Sequence, residues 1–133
     1  VFELNVPIVS VGVRSEDEKG HRFAEYHKIP IYYAKDTVKG KRWMSRAIKD
    51  LHINIYISFD VDVFDPSLIP STGTPEPGGF NWQQILAFFN KLAKSKNRVV
   101  GFDFVELAPK KGEHSPDFLC AKLVYKMIGL FAN

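Results

Sequence analysis

Residues 56–79 read YISFDVDVFDPSLIPSTGTPEPGG. The first letters complete a β-branched and aromatic run over residues 53–59, the composition of a parallel-sheet strand buried on both faces. Asp60 and Asp62 come directly after it. Side chains alternate across a strand, which predicts Ser58, Asp60 and Asp62 in one row with both carboxylates at the carboxyl end. In an open α/β sheet that end is where ligands bind.

Two carboxylates roughly 6–7 Å apart by strand rise and partly out of water repel each other. Such a pair persists when one acid takes a proton or when a cation sits between them. Hard divalent metals prefer oxygen ligands, so Mg²⁺ or Mn²⁺ is the natural candidate. The alternative is that these acids cap a turn or the next helix. The loop beyond the pair favours a site. Asp65-Pro66 turns the chain, and Pro70, Gly73, Pro75, Pro77, Gly78 and Gly79 stiffen a long irregular segment. A mere connector would be shorter.

The pattern S-F-D-V-D-x-x-D-P over residues 58–66, then G-T-P-x-P-G-G over residues 73–79, resembles the signature of the ureohydrolases, the arginase and agmatinase superfamily. The resemblance implies hydrolysis of a guanidino group at a pair of Mn²⁺ ions. It casts Asp60 as the metal-bridging aspartate and Asp62 as a ligand of one metal. Glu106, in GFDFVELAP, is similar to the glutamate that receives the substrate guanidinium. Thr74 could lend its backbone or hydroxyl to the substrate, or serve only the Gly-Thr-Pro turn.

Working outward, 133 residues can bury roughly two-thirds of their unfolded surface. Hydrophobic content of 45% and charged content of 25% suit a globular domain. No apolar run reaches membrane-spanning length and no signal peptide is visible, so a cytoplasmic setting is expected. The single cysteine, Cys120, cannot pair internally and reads as a small buried hydrophobe on a helix. The net charge of +3 comes with basic clusters at Lys39 to Arg42, Lys94 to Lys96 and Lys110-Lys111. They form no aromatic-basic stripe, which argues against nucleic acid.

The first residues, VFELN, read like the tail of a helix. A strand is expected over residues 8–13, and Ser15 with Glu18 has capping-box spacing for a helix to about His27. His21 and His27 fall on it without a partner at ligand spacing, so surface or helix-end roles are expected. A strand over 29–34 and a helix over 41–51 come next, the latter with Trp43, Ala47, Ile48 and Leu51 on one face. Beyond the loop, Asn81 and Gln84 make a capping box, and Trp82, Ile85, Leu86, Phe89, Leu92 and Ala93 keep helical spacing. A strand over 99–107 and a helix opening at Ser115-Pro116 complete the chain.

Four strand–helix alternations predict an α/β chain with a parallel sheet and no internal domain boundary. The resemblance implies more: a three-layer α/β/α fold around eight parallel strands, of which these four are similar to the last four. Residues 1–133 then form the C-terminal portion of one ureohydrolase domain, expected as two strand pairs. The Asp-x-His-x-Asp ligands, a further histidine ligand and a proton-shuttling histidine belong to the upstream half. His114 is assigned neither role. The implied reaction uses a hydroxide bridging two Mn²⁺ ions, with urea and an amine as products.

The partners expected are a small guanidino substrate and further copies of the chain. VGVRS and TPEPGG look more like agmatinase than arginase, so agmatine is expected ahead of arginine or another guanidino acid. Other readings fit less. A haloacid-dehalogenase phosphatase needs a later acidic pair, and a glycosyltransferase Asp-x-Asp does not predict the Gly-Thr-Pro loop. An EF-hand fails at Phe64 and Asp65. A non-catalytic assembly module, or an isolated inactive fragment, is the remaining alternative.

Overall fold

A computed structural model describes residues 5–37 and 40–132. The reading of residues 1–4 as a helix tail lies outside them. The chain packs as two compact units, one ending at His52 and one beginning at Ile53.

In the first unit, β1 (Ser10–Val13) pairs in parallel with β2 (Ile31–Tyr33). Helix α1 (Glu18–Tyr26) connects them, and α2 (Ala34–Thr37) and α3 (Arg42–Asp50) come after β2. The cap of α1 is Asp17, not Ser15: its carboxylate accepts from the Gly20 amide at 2.6 Å. A charged acceptor at a helix N-terminus outcompetes a hydroxyl two residues earlier. The α3 stripe is as expected at Trp43, Ala47 and Ile48, all buried, with Met44 beside them. Helix α2 is absent from the sequence-based expectation; at four residues it is too short for periodicity to reveal.

In the second unit, β3 (Asn54–Asp60) pairs in parallel with β4 (Arg98–Val105). The two-stranded sheet is covered by α4 (Trp82–Ala93) and α5 (His114–Phe131). Asn81 and Gln84 form the full capping box: the Asn81 side chain accepts at 2.9 Å and its amide donates at 2.8 Å. The core is aromatic. Phe59 stacks on Phe104 with ring centroids 5.0 Å apart, and meets Phe89 of α4 at 5.7 Å. Ile85, Leu92, Cys120, Leu123 and Met127 close around them, the cysteine as the expected buried hydrophobe.

Burial on both faces of β3 is not observed. Ile55 and Phe59 are buried, whereas Tyr56 on the other face is 60% exposed. Within this unit the helices cover the face bearing Phe59, and the alternate face carries Tyr56, Ser58 and Asp103, with Ser58 Oγ donating to Asp103 Oδ1 at 2.7 Å. The ladder is also irregular: Ile55 pairs with Val99 and Tyr56 with Gly101, so Val100 bulges out. The last helix begins at His114, one residue before the expected Ser115-Pro116. The expected α/β architecture of parallel strands with helices is present in both units.

Candidate functional site

The strand β3 stops at Asp60, and this corrects the expected row of carboxylates. One Asp60 oxygen accepts from the Asp62 amide at 3.0 Å, capping a 3₁₀ turn over Val61–Val63. Asp62 therefore leaves the strand alternation and lies on a turn. Its charge still bears on the Asp60 carboxyl. The turn-capping alternative is thus realised by Asp60, through Oδ1.

The other two expected residues reach the same place from different segments. Thr74 Oγ1 donates to Asp62 Oδ2 at 2.9 Å, so its hydroxyl is turned toward the acid pair. Asp60 pairs in register with Val105, which puts Glu106 at the same carboxyl edge, one residue past the end of β4. Glu106 adopts φ of 65°, a left-handed conformation uncommon for a side chain of this size. Such a backbone persists where its surroundings hold it, and such residues cluster at working sites.

The electrostatics result from this crowding. Burial raises the Asp60 carboxyl above its ordinary range, and the charges of Asp62 and Glu106 push it further up. The Asp62 amide opposes them. A half-buried acid facing two other acids is an arrangement that a cation relieves.

The loop is fixed by hydrogen bonds that the sequence did not reveal. Asp65 Oδ1 accepts from Ser67 at 2.6 Å, and Oδ2 accepts from the Gly78 amide at 2.9 Å. These donors hold the Asp65 carboxyl below its usual range, Ser67 most of all. Phe64 bridges Phe80, and Gly79 runs so close that a Cβ there would sit 2.5 Å from the Phe64 carbonyl carbon. On the far side, the Ala108 amide donates to Ser71 O at 2.9 Å, and Ser71 Oγ donates to Glu113 at 3.1 Å. Segments 70–74 and 106–113 are thereby tied together, carrying Thr74 and Glu106 with them. The D-P-S triplet was the one readable signal for the Asp65 turn.

Oxygen donors this hard fit a cation such as Mn²⁺, though incompletely. Among the described residues, no group of three or more His, Cys, Asp or Glu side chains is arranged to hold a metal ion. His114 is exposed at the start of α5. His21 is exposed on α1, the surface role expected, with its Nδ1 2.9 Å from Glu16 Oε1. Among the described residues, no helix is long and apolar enough to cross a membrane.

The chain belongs to the arginase family, which it matches over residues 3–129. It is 35% identical to an N(1)-aminopropylagmatine ureohydrolase of Synechocystis, over all of this chain and 44% of that protein. It is also 35% identical to an agmatinase of Pyrococcus horikoshii, over all of this chain and 46% of that one. The arginase of Entamoeba histolytica, solved with L-ornithine, superimposes with a TM-score of 0.79 at 30% identity, over 92% of this chain and 43% of that structure. The chain thus spans less than half the length of the relatives it matches.

Proposed function

We propose that this chain supplies part of the active site of a manganese-dependent ureohydrolase acting on a guanidino group carried by an aliphatic amine. The observation that carries the reading is the convergence of Asp60, Asp62, Thr74 and Glu106 at one carboxyl edge. Asp60 and Asp62 would hold the metal, Asp60 through the oxygen not used for the turn. Manganese, when bound, supplies the means of ionising water at neutral pH. Thr74 fixes Asp62 by its hydroxyl. Glu106 receives the planar guanidinium by charge-assisted hydrogen bonds and holds its carbon in place for attack. Urea and an amine are the products.

Agmatine is the substrate proposed. The name of the Synechocystis relative favours a second reading in which the amine carries an aminopropyl extension. Both lack the α-carboxylate of arginine. The two units are proposed as parts of one domain, in a cytoplasmic homo-oligomer. The complete polypeptide carrying this chain is the form to assay: with Mn²⁺ it should release urea from agmatine or its aminopropyl derivative faster than from arginine. The 133 residues alone, holding two candidate metal ligands, should not. Preference for arginine would overturn the amine assignment, and no urea from any guanidino compound would overturn the activity.

A further inference from the structure

The glycines of the site loop have different reasons to be glycine. Gly78 has φ of 83°, where a side chain is strained. Gly79 has backbone against the position of its missing Cβ. Gly73 has neither constraint. Its φ lies outside the left-handed region, and the one heavy atom within 4 Å of an added Cβ is Glu106 Oε2, at 3.9 Å. An alanine methyl would be accommodated by the backbone and would rest in ordinary contact distance of the carboxylate.

We propose that Gly73 is a specificity-determining residue whose missing side chain keeps the approach to Glu106 Oε2 open for a planar cation. This rests on the reading of Glu106 as the guanidinium acceptor. A flat guanidinium reaches a carboxylate edge-on, through two parallel N–H···O bonds whose approach must stay open. A methyl 3.9 Å from Oε2 would narrow the open space beside that oxygen and take some of its water away. The hydrogen bonds that tie segments 70–74 to 106–113 keep Gly73 from moving aside. A single misplaced methyl in a fitted site changes binding by roughly tenfold or more.

The test uses Gly73→Ala, Glu106→Gln and Gly112→Ala in the complete polypeptide. Melting temperature, bound Mn²⁺, KM and kcat for agmatine, and the inhibition constant of the guanidinium ion are measured for each. Gly73→Ala should keep the melting temperature and the metal. It should raise KM and the guanidinium inhibition constant by roughly tenfold or more, with kcat changed less. Gly112→Ala, placed at φ of 88° with open space around it, should lower the melting temperature and leave KM alone. If Glu106→Gln weakens guanidinium binding and Gly73→Ala does not, the Gly73 assignment is overturned by itself. If Glu106→Gln leaves binding intact, the acceptor reading fails and takes this one with it. An unfolded Gly73→Ala would also overturn it, because the glycine would then serve the backbone.

Discussion

Glu16 and Asp60 both lie at or just beyond the carboxyl end of a parallel strand, β1 for one and β3 for the other, yet their acidities move in opposite directions. Glu16 is drawn below its usual range, first by the Tyr33 hydroxyl that donates to it and then by His21. Asp60 is raised, first by burial and then by two neighbouring acids. Asp65, in the same unit as Asp60, behaves like Glu16 because Ser67 and Gly78 supply donors. An acid whose donors come from its own fold is a structural element. One whose nearest charged neighbours are other acids is half of an interaction.

That contrast breaks most sharply under Asp60→Asn. The amide oxygen can still accept from Asp62, so the turn should survive, while bound Mn²⁺ and urea release fall close to nothing; Glu16→Gln should leave both intact. Metal analysis of the two purified variants decides it, and full metal occupancy with turnover in Asp60→Asn would erase the distinction. Glu106→Gln comes next. It should keep its metal and lose kcat/KM by roughly 10²–10³, the scale of one charge-assisted contact. Metal loss in its place would move Glu106 to the ligand side.

Smaller effects sharpen the other half. Asp65→Ala removes acceptors for the Ser67 and Gly78 donors and should cost about 1–2 kcal/mol in denaturant unfolding. The Asp65 pKa is lowered on folding, so its contribution is present above the ordinary value of 3.8 and is lost as pH falls through the folded value. Wild type should lose stability across that acid window, and Asp65→Asn should show a shallower loss. The smallest effect is spectroscopic. Tyr33 is pushed up to about 12, chiefly by its bond to Glu16. That contribution is present below the ordinary value of 10.0 and disappears as pH rises through about 12. In Glu16→Gln the Tyr33 tyrosinate absorbance should appear at lower pH than in wild type.

Much of this was legible in the sequence where local chemistry and pattern agree. The helix after Asn81 was readable because cap and apolar period coincide, and the strand before Asp60 because its run is β-branched and aromatic. Asp60, Asp62, Thr74 and Glu106 were each singled out from the sequence, and the structure brings them together. What stayed hidden depends on choices that one-dimensional spacing does not encode. Asp60 prefers the amide two residues on to another rung of the ladder, and that bends Asp62 out of the expected row. Asp17 takes the cap from Ser15 by charge. Glu106 enters the left-handed region with no residue-type signal at all. The exposed face of Tyr56 depends on what covers the sheet, which the strand's own letters do not state.

The bulge at Val100 has a consequence for how the site tolerates change in chain length. Val100, 59% exposed, is spare: the ladder runs from Val99 to Gly101 as though it were absent. Were it to take a rung, Phe102 would move opposite Ser58 and Asp103 opposite Phe59, because one step of slippage reverses every side chain beyond it. A carboxylate would then point into the aromatic core, and Glu106 would fall one residue beyond its present reach. Losing Val100 outright should leave the pairing regular and the site in place. The position of an acid six residues away is therefore held by a residue whose only task is to be skipped.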